Sequence, residues 1–415
     1  AAQPAHDARR AQSNGPQPLR DIIADDVERF RTGIEEFDRV LGGGLVAGGV
    51  VMLGGDPGVG KSTLLMQVLV ALSADGKRAL YVTGEESAAQ VALRARRIGM
   101  SGDVMLIATT ELDEALRALE ADPYQVVVID SIQTLRSAEL EASVGSVAQL
   151  RDVASALTDH AKRAGCAMFL IGHVTKEGAL AGPKVLEHLV DTVLSFEGDA
   201  THAYRMVRAE KNRFGPAHEV GVFEMLEDGL REVRDPSRLF IEERPEQVAG
   251  SLITATAEGS RPLLVEVQAL VAPAQYGTPR RVATGLDANR LAVLLAVLHR
   301  KAGIQVLDQD VFASAAGGVR VDEPAADLAL CAAVVSSLTE KPVPAQLVMF
   351  GEVGLAGEVR AVPRPGARLK EARKMGFSRV VLPAANAARL SPAETEGLRL
   401  MPVARLEEAL EHLAG

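Results

Sequence analysis

Four runs of the chain are apolar at nearly every position: GGVVMLGG (48–55), RALYVTG (78–84), YQVVVID (124–130) and CAMFLIGH (166–173). The first three are followed by segments with helix-like patterning, 62–74, 87–98 and 143–164. Strands that are apolar throughout and alternate with helices belong to a parallel sheet, because each face must pack on a helical layer. After HLVDTVLSFEGD (188–199) the pattern changes to AYRMVRAEKNRFG and EVGVFEMLEDGLREV, which predicts antiparallel strands closing one sheet edge. This is an α/β unit expected to span residues 26–235. The following stretch, RDPSRLFIEERPEQVAG, is polar with two prolines and little periodicity, so a linker is expected over 236–250. Beyond it, over 251–415, the pattern predicts strands at 262–271 and 280–286 and helices at 288–301 and 324–338. A hairpin-like QLVMFGEVGLAGEVRAV, a helix at 366–375, the strand RVVLP and a helix at 403–413 complete an α+β domain. No short internal repeat is visible.

A length of 415 residues exceeds one average core and fits two domains. Aromatics make up 3% and Trp is absent, so the cores must be built from Ala, Val and Leu. The net charge of −10 argues against a surface coated with cations for nucleic acid; any such contact must be a local groove or pore lining. Cys166 and Cys331, the only cysteines, lie in apolar runs, which fits buried thiols in a reducing compartment and excludes a four-cysteine zinc site within these residues. No apolar run approaches the roughly 20 residues that span a bilayer. The opening AAQPAHDARRAQSNGPQPLR has no signal-peptide core and, without an initiating Met, reads as a disordered lead-in (1–25) from which upstream residues have been removed.

The first chemistry lies in GGDPGVGKST. Gly55, Asp56, Pro57, Gly58, Val59, Gly60, Lys61, Ser62 and Thr63 form the full phosphate-loop pattern between an apolar strand and a helix. Its glycines let backbone N–H groups converge on phosphates, Lys61 reaches the β- and γ-phosphates, and Ser62 coordinates Mg²⁺. Asp130 ends VVVID, where a carboxylate suits Mg²⁺ held through water; capping the next helix is the plainer reading. Glu85 and Glu86 follow YVTG. One would polarise the attacking water while the other starts a helix, and Glu85 is the preferred base. His173 ends its strand near the expected γ-phosphate, and from position alone it stays open between a structural and a sensing role. The Gly-rich 174–187 stretch carries Lys176 and Lys184 and reads equally as a solvated loop. Lys211 and Arg213, two apart in an extended segment, point the same way.

RFRTGIEEFDRVLGGGLVAGGVVMLGGDPGVGKSTLLMQ, YVTGEES, VVVIDSIQT and KNRFG together resemble the bacterial RadA/Sms DNA repair proteins, RecA-like ATPases akin to replicative hexameric helicases. The similarity runs from about Asp26 to the C-terminus, and KNRFG is its most specific element. It implies a RecA-like P-loop ATPase core followed by a Lon-protease-like domain, with ATP and Mg²⁺ as cofactors. The family's N-terminal four-cysteine zinc module has no counterpart in these residues, so no zinc is expected. The resemblance makes His173 a γ-phosphate sensor and turns 174–187, with Lys176 and Lys184, and the segment around 139–148 toward DNA. Lys211 and Arg213 become clamps reaching a neighbouring subunit's phosphates. Ala325 and Gly366 fall where a Lon protease carries its catalytic Ser and Lys, which implies a scaffold without peptidase activity. The expected protein is a cytoplasmic, nucleoid-associated motor, a hexameric ring on single-stranded and branched DNA that promotes branch migration with RecA recombinase. The rival readings are a nucleotide-switched scaffold that loads or stabilises RecA without unwinding, and a KaiC-like regulatory ATPase or kinase.

Overall fold

The structure, a computed structural model, describes residues 29–100, 102–173, 186–198, 204–241, 244, 248–274 and 277–413. Strands β1 (Arg29–Phe30) and β2 (Leu45–Val46) pair in a short ribbon around helix α1 (Glu35–Leu41). The main N-terminal sheet comprises β3 (Val50–Gly55), β4 (Ala79–Thr83), β5 (Met105–Ala108), β6 (Val126–Asp130), β7 (Ala167–His173), β8 (Thr192–Glu197), β9 (Tyr204–Asn212), β10 (Val220–Leu226) and β11 (Gly229–Glu232). Their order is β11-β10-β9-β8-β3-β7-β6-β4-β5. From β8 to β5 all neighbours are parallel, and β9, β10 and β11 close the edge antiparallel, as the sequence pattern predicts.

Continuous apolarity in these strands reflects burial on both faces. Val51 and Leu53 point with Phe169, Ile171, Val126 and Val128 into one core, under α1, α2 (Lys61–Ala74) and Val91 of α3 (Ala88–Arg97). Val50 and Met52 point with Met168, Leu170, Val127 and Ile129 into the other, under α4 (Leu112–Ala121) and α5 (Val147–Ala164). The alternation is the two-residue period of a strand, with both sides dry. Strand β5 and helix α4 are additions to the expected plan. The strand is an edge with Met105 55% exposed, so it lacks the continuous apolar run of its neighbours.

The C-terminal sheet holds β12 (Ser251–Glu258), β13 (Arg261–Pro273), β14 (Arg281–Thr284), β15 (Gln309–Ala315), β16 (Leu347–Met349), β19 (Arg379–Pro383) and β20 (Arg399–Val403), in the order β14-β15-β13-β12-β16-β19-β20. The strands β17 (Glu352–Val353) and β18 (Val359–Arg360) form a separate hairpin. Helices at Ala288–Lys301 and Asp327–Thr339 cover one face, and Pro365–Lys374 packs on the other core with Phe350 and Leu382. The expected strands and helices of this half are present with two differences. The last helix spans only Leu406–Glu411 because Val403 ends β20, and Leu347–Met349 of the hairpin-like stretch joins the main sheet, leaving β17 and β18 as the hairpin. Strands β12, β15 and β20 are additional. Both cysteines are buried, which pushes the Cys166 thiol up to about 11.

Part of the segment read as a linker is helical. Pro236–Ile241 forms a short helix whose Phe240 is 4% exposed, and Ser237 Oγ accepts from Leu264 N (3.1 Å) and donates to Glu371 (2.6 Å). Phe240 joins Met206, Val220 and Val222 of the first sheet to Leu263, Val265 and Val319 of the second half in one apolar cluster. A single buried aromatic in six residues leaves no periodic signal to read.

Candidate nucleotide site

In a parallel sheet the carboxyl ends of neighbouring strands open onto one crevice. Here the ends of β3, β4, β6 and β7 deliver Gly55, Glu85, Asp130 and His173 to the same edge, with Gly55 level with His173 and Thr83 level with Asp130. The loop from Gly55 to Gly60 turns from β3 into α2. Gly58 (φ 78°) and Gly60 (φ 117°) adopt left-handed backbone, a conformation that favours glycine at both positions. Lys61 is 4% exposed, and its ammonium donates to the Gly55 and Asp56 carbonyls at 2.8 and 2.9 Å. Burial lowers its pKa against the pull of Asp130, Asp56 and Glu85. Ser62 and Thr63 follow in the first turn of α2. Arg205, at the start of β9, braces the loop from the other side by donating to Val59 O at 3.1 Å.

Asp130 is buried beside Tyr81, whose hydroxyl donates to Asp130 Oδ2 and also meets the Ser62 side chain. Burial and the Asp130 charge push the Tyr81 hydroxyl well above its ordinary pKa, so it remains a donor. One hydroxyl thus spans the gap between the Ser62 and Asp130 oxygens. Two hard oxygen donors set beside a phosphate loop suit Mg²⁺, which takes one or two protein ligands and completes its octahedron with phosphate and water. Among the described residues no group of three or more His, Cys, Asp or Glu side chains has a metal-binding arrangement.

The two glutamates diverge. Glu85 Oε1 accepts from Ser131 Oγ at 2.6 Å and from His173 Nε2 at 2.9 Å. Glu86 turns away to an ion pair with Arg94 at 2.6 Å, while its backbone N–H donates to Thr83 Oγ1 at 3.1 Å. Burial pushes the Glu85 carboxyl up, but the Ser131 and His173 hydrogen bonds and the His173 and Lys61 charges outweigh it and hold the group below its usual range. Gln133 adds a weak contact to the same corner, Nε2 to His173 O at 3.4 Å.

Lys211 and Arg213 do not join this cluster. Asn212 on β9 is level with Thr192 on β8, which is level with Val51 on β3. Gly55 lies four residues along the strand from Val51, so the pair lies roughly 13 Å back along the sheet from its own phosphate loop. Lys211 Nζ is held by the Glu187 carbonyl and by Val190 O at 2.9 Å; burial and the neighbouring Arg213 lower its pKa. Arg213, about half exposed, meets Asp191 Oδ1 at 3.3 Å and the His188 carbonyl at 3.5 Å. Lys176 and Lys184 lie outside the described residues. In the C-terminal half, Ala325 is fully buried in a 3₁₀ turn at the start of the Asp327–Thr339 helix, and a Cβ on Gly366 would lie 2.0 Å from Glu394 Oε1. Near them the fully buried Arg368 pairs with Glu323 and donates to the Pro363 carbonyl at 3.0 Å.

Tyr81, Ser131, Arg94 and Arg205 were not foreseen as site residues. The signal for Tyr81 is a hydroxyl inside the apolar run RALYVTG; Ser131 is the residue after the strand-ending Asp130. Arg205 carries no local signal, because its partner is 146 positions away.

Comparison with known proteins follows the same two halves. Residues 16–179 match the family model described as AAA domain, and residues 304–414 match the Lon protease (S16) C-terminal proteolytic domain. The chain is 54% identical over 396 residues to DNA repair protein RadA of Pseudomonas aeruginosa, covering 95% of this chain and 86% of that one. It is 51% identical over 395 residues to DNA repair protein RadA of Escherichia coli (95% and 85% covered) and 46% over 401 residues to that of Bacillus subtilis (96% and 87%). A solved KaiC-like protein from Pyrococcus horikoshii is similar over 50% of this chain and 99% of its own, at 23% identity and a TM-score of 0.42.

Proposed function

The chain belongs to the RadA family of DNA repair proteins, P-loop ATPases with a Lon-like domain, and from that premise we propose an ATP-driven recombination motor. It binds single-stranded and branched DNA, works with RecA recombinase on branch migration, and assembles as a hexameric ring in the cytoplasm at the nucleoid. ATP sits on the loop from Gly55 to Thr63, with Lys61 against the β- and γ-phosphates. Ser62 and Asp130 hold Mg²⁺, which neutralises phosphate charge when bound. Glu85 takes a proton from the attacking water, and His173, hydrogen-bonded to Glu85, registers the γ-phosphate. Lys176 and Lys184 face DNA.

The observation that carries this reading is the position of Lys211 and Arg213. Both cations stand roughly 13 Å back along the sheet from the phosphate loop of their own chain, which supports the reading that the phosphates they serve belong to a neighbour. Arg213 is itself about half exposed and meets the buried Asp191 at 3.3 Å and the His188 carbonyl at 3.5 Å. The buried Asp191 also accepts from Val50 N at 3.1 Å, so it keeps a partner when the exposed guanidinium swings to a phosphate. An arginine supplied in trans contributes about 10³–10⁵ in rate in other phosphoryl-transfer enzymes.

Mixed assemblies test this. Lys61→Ala protein has a dead pocket and an intact clamp; Arg213→Ala protein has the reverse. Each alone should hydrolyse ATP slowly, and co-assembled they should regain part of the wild-type rate. If demonstrated mixed assemblies regain nothing, while wild-type activity falls only in proportion to added variant, the trans arrangement is wrong.

The Lon-like half acts as a scaffold for ring assembly and the DNA channel. Ala325 and Gly366 supply neither nucleophile nor base to an acyl transfer. Labelling of that half by a serine-directed active-site probe would overturn the scaffold reading.

A further inference from the structure

Besides the apolar cluster around Phe240, the turn between β12 and β13 reaches into the ATPase domain, and its contacts are polar and closely fitted. Gly259 (φ 56°) packs so tightly that a Cβ would lie 2.6 Å from His218 O and 2.8 Å from Glu219 N. Ser260 donates twice to the buried Glu219, from N to Oε1 at 2.7 Å and from Oγ to Oε2 at 2.9 Å. Arg261 donates to Glu36 Oε2 at 2.6 Å and to the Arg234 carbonyl at 2.7 Å. Glu36 is 3% exposed and also accepts from Val222 N at 3.1 Å. Three consecutive residues thus fasten the second half to β10 and to α1.

Both attachment points frame the segment that carries the trans clamp. Glu219 is the last residue of the β9–β10 connection; its carbonyl accepts from Ala209 N at 2.9 Å, and His218 N donates to Ala209 O at 2.7 Å. Arg213 begins that connection. The middle of the connection rests on the far end of α1. A Cβ on Gly215 would lie 2.9 Å from Gly42 Cα, and the Arg29 guanidinium donates to the carbonyls of both Gly42 and Phe214. Helix α1 is therefore held at Glu36 by Arg261 and touches the clamp segment at Gly42.

We infer that Ser260 and Arg261 are positioning residues for Lys211 and Arg213, so that docking of the C-terminal half sets hydrolysis in the adjacent subunit's pocket. The inference rests on the trans reading above. Its physical basis is leverage: the connection from Arg213 to Glu219 is pinned at its end by Ser260 and along its length by α1, whose own placement depends on the Arg261–Glu36 pair. Misplacing a catalytic group by about 1 Å costs on the order of a hundredfold.

Arg261→Ala should lower kcat at least about tenfold with little change in KM, and Arg261→Lys, which keeps one charged donor, should restore most of it. The deciding measurement mixes subunits. Arg261→Ala protein retains its own pocket, so with Lys61→Ala protein it should recover activity as the Arg213→Ala plus Lys61→Ala mixture does. Recovery in the Arg213 mixture alone would mean that Arg261 acts on its own pocket or on folding, and would overturn the inference. Recovery in neither would overturn the trans reading and this one with it. Removing Arg261 leaves the buried Glu36 with only a 3.8 Å ion pair to Arg39 and the hydrogen bond from Val222 N. Should that variant fail to fold, Ser260→Ala, which loses one hydrogen bond, enters the same comparison, and wild-type kcat in Ser260→Ala then overturns the inference.

Discussion

Replacing Glu85 by Gln isolates the proton-accepting step from the geometry around it. The carboxamide has nearly the same shape, and its oxygen can still accept from Ser131 Oγ and His173 Nε2, which lie 2.6 and 2.9 Å from Glu85 Oε1. What disappears is basicity. A positioned general base contributes about 10²–10⁴ in rate. At 1.36 kcal/mol per tenfold, that is about 3–5 kcal/mol on the barrier. Nucleotide affinity should stay near wild type, since Lys61 and the loop amides are untouched. Glu86→Gln is the matched control: it removes an ion pair with Arg94 whose carboxylate is 38% exposed, so it should cost at most about 1 kcal/mol of stability and leave turnover nearly unchanged. Single-turnover hydrolysis with DNA, beside binding of a fluorescent nucleotide, reads both quantities. The pH dependence adds a second check. Because Glu85 is held below the usual carboxylate range, its base form is complete at neutral pH and is lost only as pH falls through the depressed value. The acid limb of kcat/KM should therefore lie below that of an ordinary glutamate, and Ser131→Ala should move it upward. A larger turnover loss in Glu86→Gln than in Glu85→Gln would refute the assignment.

Arg368→Ala should destabilise the C-terminal half by about 3–5 kcal/mol, because it strands the Glu323 carboxylate and the Ala255 and Pro363 carbonyls beside a cavity. For a domain of that size this corresponds to a fall in Tm of roughly 6–20 °C by calorimetry, and a shift within the error of the measurement would show the pair to be dispensable. Replacing Lys176 and Lys184 together should weaken binding to single-stranded DNA and make it less dependent on salt, with ATP binding intact. Wild-type DNA affinity in titrations at two ionic strengths would remove that segment from the DNA path.

The parts of the molecule legible in the sequence are those where one residue's surroundings repeat along the chain. Strands β3, β6 and β7 announce themselves because both faces are covered and every position must be apolar. The phosphate loop is legible because three glycines and Lys61 satisfy a backbone requirement within eight residues. Less legible were edges and long-range pairs. Met105 on β5 faces solvent and breaks the apolar run; Phe240 is a lone anchor in a polar stretch. The choice between Glu85 and Glu86 could be argued only as a preference, because adjacent residues after a strand end diverge by loop geometry that Ser131, His173 and Arg94 create. The Arg261–Glu36 pair joins residues 225 positions apart and has no local signature at all.

The separation of pocket and clamp along one sheet also constrains symmetry. A two-fold axis pairs residue i of one copy with residue j of the other and j with i, so a dimer could join pocket to clamp only if both lay on one patch; the proposed ring joins them head-to-tail instead. Under the proposed trans arrangement in a ring the contact is head-to-tail, and repeating it generates either a closed cycle or an open row. In an open row the terminal subunit at one end has a pocket with no clamp, and the subunit at the other end has a clamp with nothing to grip. Turnover per subunit then rises with row length and reaches its limit on closure. Specific activity measured against protein concentration would thus report directly on how completely the assembly has closed.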